Sequence, residues 1–154
     1  MNPTTVVEMD EDSYMEMETT QIKGVDSTVR TTNAKLGPRA TLIIREKVMT
    51  HGRQLAKSDF TVDLDGEDCH TNVISRSVAK DQSRQVFLAR INGNAACYGH
   101  SECDAIIMDQ GVVAAIPEVT ANCVDASLVH EAAIGKIAGE QLIKLMTLGL
   151  TEKE

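Results

Sequence analysis

The chain has 154 residues, of which 42% are hydrophobic and only 3% aromatic, and it carries a net charge of −8. That length is one domain's worth and buries roughly two-thirds of the surface of the unfolded chain, so no disulfide staple is required. An acidic balance without any block of Lys and Arg argues against nucleic acid or an anionic membrane as partner, and no apolar run nears the ~20 residues of a bilayer span.

Residues 1–18 hold Glu8, Asp10, Glu11, Asp12, Glu16 and Glu18 with little apolar periodicity, which predicts a flexible acidic lead. From residue 19 to about 125 the pattern is one of short β-prone runs between turn residues. "ATLIIREKV" follows Gly37-Pro38, "NVISRSV" follows Asp65-Gly66-Glu67-Asp68, "QVFLARI" precedes Asn92-Gly93-Asn94, and "VVAAIPEV" follows Asp109-Gln110-Gly111. The turn glycines Gly37, Gly66 and Gly93 recur at a nearly even interval. That interval falls within the range typical of stacked-repeat chains, and with strand-like contents it predicts an all-β chain of that kind, a β-solenoid. An antiparallel sandwich also has many short strands, but it favours two-residue hairpins and more aromatic bulk. With Phe60, Phe87, Tyr14 and Tyr98 the only large rings, the interior is expected to be narrow and aliphatic.

Residues 126–154 are expected to be helical. Leu142, Leu145 and Met146 fall at i, i+3 and i+4, which predicts a short helix over about 139–148 with Ile143 and Leu148 off the stripe. Gly149 is placed to end it in the left-handed conformation, with Leu150 as the accompanying apolar contact. Thr151 and Glu154 then form a capping-box pattern, the start signal of a helix that does not follow, which suggests truncation.

Chemistry gathers in "YGHSECDAIIMD", residues 98–109. Cys103, taken alone, is a small buried hydrophobe, and His100 and Glu102 look like solvated edge residues. His130 and Glu131, however, lie beyond Cys103 by the same interval that separates the turn glycines. Residues one period apart stack at about 4.8 Å in a solenoid. A thiolate over an imidazole or carboxylate offers a mixed S, N and O donor set suited to iron or zinc. A Cys–His nucleophile is the other reading, but no oxyanion loop or third orienting group is evident. His51 and His70 are expected at the surface. The chain has no GxxxxGK[ST] phosphate loop. Cys69, Cys97, Cys103 and Cys123 include no CxxC pair and no secretory leader opens the chain, which points to the cytoplasm.

The stretches "TTQIKGVDSTVRTTNAKLG", "SDFTVDLDGEDC", "SRSVAKDQSRQ", "INGNAACYGHSECDAIIMD", "AIPEV" and "HEAAIGKIAGEQLIKLMTLGLTEKE" together resemble the C-terminal part of the SufB/SufD family of iron–sulfur cluster assembly proteins. The resemblance implies a right-handed parallel β-helix with a helical C-terminal segment, pairing with itself or with a SufB/SufD-type relative, and docking of a SufC-type ABC ATPase. It also implies that Cys103 matches the interface cysteine of SufB-type members, His130 the interface histidine of SufD-type members, and Glu131 a neighbouring acidic ligand. The sulfur-accepting N-terminal part of the family has no counterpart here. Two functions are thus expected: a non-catalytic scaffold for a transient iron–sulfur cluster held by Cys103, His130 and Glu131, or an interaction-only β-helix module that holds no cluster.

Overall fold

Alternation makes the strands. In "TLIIREKVMT" the residues Leu42, Ile44, Glu46, Val48 and Thr50 are buried, and the residues between them face outward. A strand places successive side chains on opposite faces, so this pattern builds a sheet with one face sealed. The computed structural model describes residues 1–22, 24–137, 139–149 and 151, with only the backbone described for Glu140, Leu142 and Leu145.

The described residues form ten strands in order: β1 (Thr4–Met9), β2 (Tyr14–Gln21), β3 (Ser27–Leu36), β4 (Thr41–Thr50), β5 (Leu55–Leu64), β6 (Cys69–Ala79), β7 (Arg84–Gly93), β8 (Cys97–Ile107), β9 (Val112–Ala121) and β10 (Ser127–Gly135). A single described helix, α1 (Gly139–Thr147), comes after them. Odd strands stack in one sheet, β1-β3-β5-β7-β9, and even strands in the other, β2-β4-β6-β8-β10. Every pairing is parallel. The chain is therefore a β-solenoid of about five turns, in which each coil contributes one strand to each sheet. The register offset is not constant: Thr4 lies beside Thr31 in the first coil, whereas Tyr98 lies beside Ser127 in the last, a longer step.

The corners repeat as faithfully as the strands. Asp12, Arg39 and Asp68 occupy one corner of successive coils with φ of 59°, 56° and 57°, and Gly52, Asp81 and Asp109 occupy the other with 60°, 59° and 55°. Aspartate tolerates the left-handed region better than most residues, because its short side chain finds local hydrogen bonds. Here those bonds run between coils: Asp81 accepts from the Gly52 amide at 2.7 Å, and Asp109 accepts from the Asp81 amide at 3.2 Å.

Two expectations need correction. Residues 1–18 are not a flexible lead, because β1 and β2 form the first coil, with Val7 and Met9 buried. Four of their six acidic side chains are paired one coil up: Glu11 and Asp12 with Arg39, Glu16 with Arg45, and Glu18 with Lys47. The segment 126–154 is not wholly helical either, since β10 adds a further strand across residues 127–135 by pairing with β8. Helix α1 follows and Gly149, at φ 96°, turns left-handed after it. Met146, Ile143 and Leu148 are exposed; the stripe residues Leu142 and Leu145 have no described side chains, and Leu150 and Glu154 lie outside the described residues. Among the described residues no helix is long and apolar enough to cross a membrane.

The interior is narrow and mainly hydrophobic, with a polar patch toward one corner. Leu36, Leu42, Ile44, Val62, Leu64 and Ile91 fill the side near the first corner, and Phe60 and Phe87 pack against each other at 5.8 Å between ring centroids. Toward the second corner lie the buried polar groups Glu46, Thr50, Ser58, Ser75, Ser83 and Gln85. Glu46 is 2% exposed and accepts hydrogen bonds from Arg30 Nη1 at 3.0 Å, Ser75 Oγ at 3.0 Å and Ser58 Oγ. A buried carboxylate is tolerated when its lone pairs are filled and a cation is adjacent, as they are here. Glu46→Ala should destabilise the fold by about 3 kcal/mol, the bottom of the range for breaking a buried pair, because Arg30 at 17% exposure keeps some water. Urea unfolding checks this, and a shift below about 0.5 kcal/mol would mean that the network contributes nothing net.

Candidate metal centre

Strands β8 and β10 carry the residues singled out above. On β8 the inward set is Cys97, Gly99, Ser101, Cys103 and Ala105, and the outward set includes Tyr98, His100, Glu102 and Asp104. The register then decides what meets what. Ser127 pairs with Tyr98, so His130 lies beside Ser101, Glu131 beside Glu102, and Ala132 beside Cys103. The step in this coil is longer than the one that would stack either His130 or Glu131 on Cys103. Because side chains alternate, the structure brings Cys103 and His130 to the interior as diagonal neighbours and sends Glu131 to the outer face.

Cys103 is 1% exposed, between Ser75 below and Ala132 above. The partly exposed cysteine that cluster exchange calls for is not what the fold presents. Burial first, then the neighbouring charges of Asp104 and Glu46, push its pKa up to about 11, so the thiol keeps its proton at neutral pH. It borders a small void lined by Glu46, Ser58, Ser75, Ser77 and Gln85, at the seam between the hydrophobic interior and the polar patch.

His130 is half-buried near the uncovered end of the stack, and its Nδ1 lies 2.7 Å from Ser101 Oγ. Burial, reinforced by the nearby His100 ring, holds its pKa below the ordinary 6.5, with Glu131 acting weakly in the other direction. A histidine depressed in the folded state contributes stability above its unfolded pKa, and that contribution is lost as the pH falls. Urea midpoints should therefore decline as the pH is lowered through about 6.5, and His130→Asn should flatten that decline; an unchanged slope would remove His130 from the account.

On the outer face Glu131 is not alone. His100 Nε2 lies 3.5 Å from Glu131 Oε2, and one ligand atom from each of His100, Glu102 and Glu131 lies within 4.8 Å of the other two. Sequence reasoning passes over His100 and Glu102 as edge residues. The signal available is the alternation His-x-Glu, which puts both on one face of a strand, but their third partner depends on the register of the next coil.

The family model described as SUF system FeS cluster assembly, SufBD core domain, matches residues 3–154. The chain is similar to an iron–sulfur cluster assembly SufBD family protein of Methanocaldococcus jannaschii, 31% identical over 156 aligned positions that cover 100% of this chain and 49% of the relative. It is also similar to SufBD family proteins of Archaeoglobus fulgidus, 34% identical over 117 residues (75% of this chain, 31% of the relative), and of Methanothermobacter thermautotrophicus, 35% over 93 residues (59% and 23%). The chain thus spans about half or less of the length of these relatives. A family match along nearly the whole chain, on a parallel β-solenoid whose last coils gather cysteine, histidine and carboxylate, leads to one conclusion: the chain belongs to the SufBD core-domain family of SUF-system iron–sulfur cluster assembly proteins.

Proposed function

We propose that the chain is a non-catalytic scaffold subunit of a SUF-type assembly complex, in which Cys103, His130 and Glu131 serve a transient iron–sulfur cluster that is cargo and not a resident cofactor. The observation that carries this reading is the position of Cys103: it lies directly beneath the terminal strand β10, diagonal to His130, at the end of the stack where another chain can approach. Burial and a raised pKa keep the thiol from reacting prematurely, and displacement of β10 is what would expose it. Glu131, on the opposite face of the same strand, serves a partner's side of the cluster.

The last coil supports pairing with a SufB/SufD-type chain or a second copy, because it exposes Ile116, Val119, Val129 and Ile134 on strands with open edges. Ile143, Met146 and Leu148 give α1 an apolar surface of the kind that a SufC-type ATPase would cover. Anaerobic reconstitution with iron and sulfide tests the scaffold role, which requires a visible absorption band that depends on Cys103. One observation favours the interaction-only alternative: the 1% exposure of Cys103 equally suits a purely structural thiol. A protein that stays colourless, yet pairs with a longer relative, would decide for that alternative.

A further inference from the structure

We propose that His100, Glu102 and Glu131 form a divalent-cation site on the outer face of the even-strand sheet, distinct from the interior thiol and suited to a first-row transition ion such as ferrous iron. The site is built by register. His100 and Glu102, two apart on β8, share the outer face, and Glu131 stacks beside Glu102 from the next coil.

The constellation is more than a cluster of acids. His100 is only 14% exposed, and its Nδ1 lies 3.0 Å from Asn72 Oδ1 on the coil below. An amide oxygen can only accept, so Nδ1 carries the ring proton, and in the neutral ring Nε2 presents a lone pair. Nε2 faces Glu131 Oε2 at 3.5 Å, so an imidazole nitrogen and a carboxylate oxygen converge on one point. Glu102 and Glu131 likewise stand side by side in the ladder, a like-charge pairing that costs stability unless a cation lies between them. Arg76, which pairs with Glu102, is itself exposed and is split loosely between Glu102 at 3.5 Å and Asp104 at 3.7 Å. One shared metal ion would neutralise the paired carboxylates and take the His100 nitrogen as a third ligand.

The donor set fixes the class of ion. One imidazole nitrogen and two carboxylate oxygens suit iron(II), manganese(II) or cobalt(II) better than a soft ion that prefers thiolates, and three protein ligands leave positions open for exchange. Asn72 is then a positioning residue that orients the ligating ring. The choice of iron over manganese rests on the assembly role proposed above; the existence of the site does not.

Cobalt(II), added to the full chain without sulfide, is the probe. Visible d–d bands should saturate at one ion per chain. His100→Asn and Glu131→Gln should each weaken binding at least about tenfold, and Asn72→Ala by about tenfold, as for other outer-shell partners. Arg76→Ala should tighten binding, because it removes a competing cation. Cys103→Ser should leave the cobalt signal in place. All but one of these changes are at outward-facing positions, and matching circular dichroism confirms that the variants fold. The proposal is overturned by non-saturable binding, by unchanged affinity in His100→Asn, or by a thiolate-to-cobalt charge-transfer band that Cys103→Ser removes. If the cobalt site fails while cysteine-dependent cluster still forms, only this inference falls; if cluster fails while cobalt binds, only the scaffold reading does.

Discussion

Cys103→Ser is expected to abolish the cysteine-dependent visible band after anaerobic reconstitution, leaving cluster content at the level of a protein incubated without sulfide. The substitution removes the one thiol that lies under β10 beside His130. Serine oxygen is a poor substitute for the soft thiolate that iron–sulfur clusters require. The structural cost should be small. Ser75 lies beside position 103 in the register, so the new hydroxyl meets a hydroxyl that can hydrogen-bond to it, and a loss of about 1 kcal/mol is expected. Cys69→Ser and Cys97→Ser are the controls: they lie at the opposite end of their strands, stacked on each other, and should leave cluster content unchanged. If all three variants lose the band equally, the loss reports a damaged interior and Cys103 has no special role. An unaffected band in Cys103→Ser sinks the ligand assignment outright.

Gly66→Ala should destabilise the fold by more than about 4 kcal/mol, a magnitude reserved for severe steric or polar errors, or prevent folding altogether. A Cβ at Gly66 would stand 2.1 Å from the Gly37 carbonyl carbon and 2.1 Å from Pro38 N, both backbone atoms of the coil below. Flexible side chains can rotate out of the way of an added methyl, but a stacked corner cannot move without breaking the hydrogen bonds on either side of it. Gly66 N donates to Leu36 O at 3.0 Å, and Arg39 N donates to Glu67 O at 2.8 Å, so both strands are tied at this point. Gly135→Ala provides the contrast, because a Cβ there has nothing within 4 Å, and the change should stay within about 0.5 kcal/mol. Equal urea midpoints for the two variants would mean that the corner relaxes freely.

How much of the molecule is legible in its sequence varies with the range of the interaction. Alternation within a strand is local, and the runs around Ile44, Val73 and Ile91 can be read directly. The turn glycines at 37, 66 and 93 reveal the coil length, because Gly37 and Gly66 lie where successive corner backbones touch and Gly93 where the Ala126 and Cys97 side chains press in. The acidic first coil escapes such a reading for the opposite reason. Glu16 and Glu18 look unpartnered until Arg45 and Lys47 are placed beside them, a whole coil further along the chain. The same long range hides the site. A period known only to within a residue or so is too coarse when a one-residue slip exchanges the faces of a sheet, and that slip separates Glu131 from Cys103 and delivers it to His100 and Glu102.

The stacking direction also has a mechanical side. Hydrogen bonds between coils point along the solenoid axis, so tension applied along that axis loads the last rung first and the remaining rungs only afterward, as in opening a zipper. Tension across the axis loads every rung of a strand together. The chain leaves the stack through β10 and continues into α1, so a body gripping α1 holds the pull-tab. Peeling from α1 opens the Gly135–Ile106 pair first and, three pairs further on, lifts Ala132 from Cys103. Single-molecule pulling from the C-terminus should accordingly show a low-force first step that is absent when the same chain is loaded across its strands; equal first-step forces in the two directions would count against this leverage.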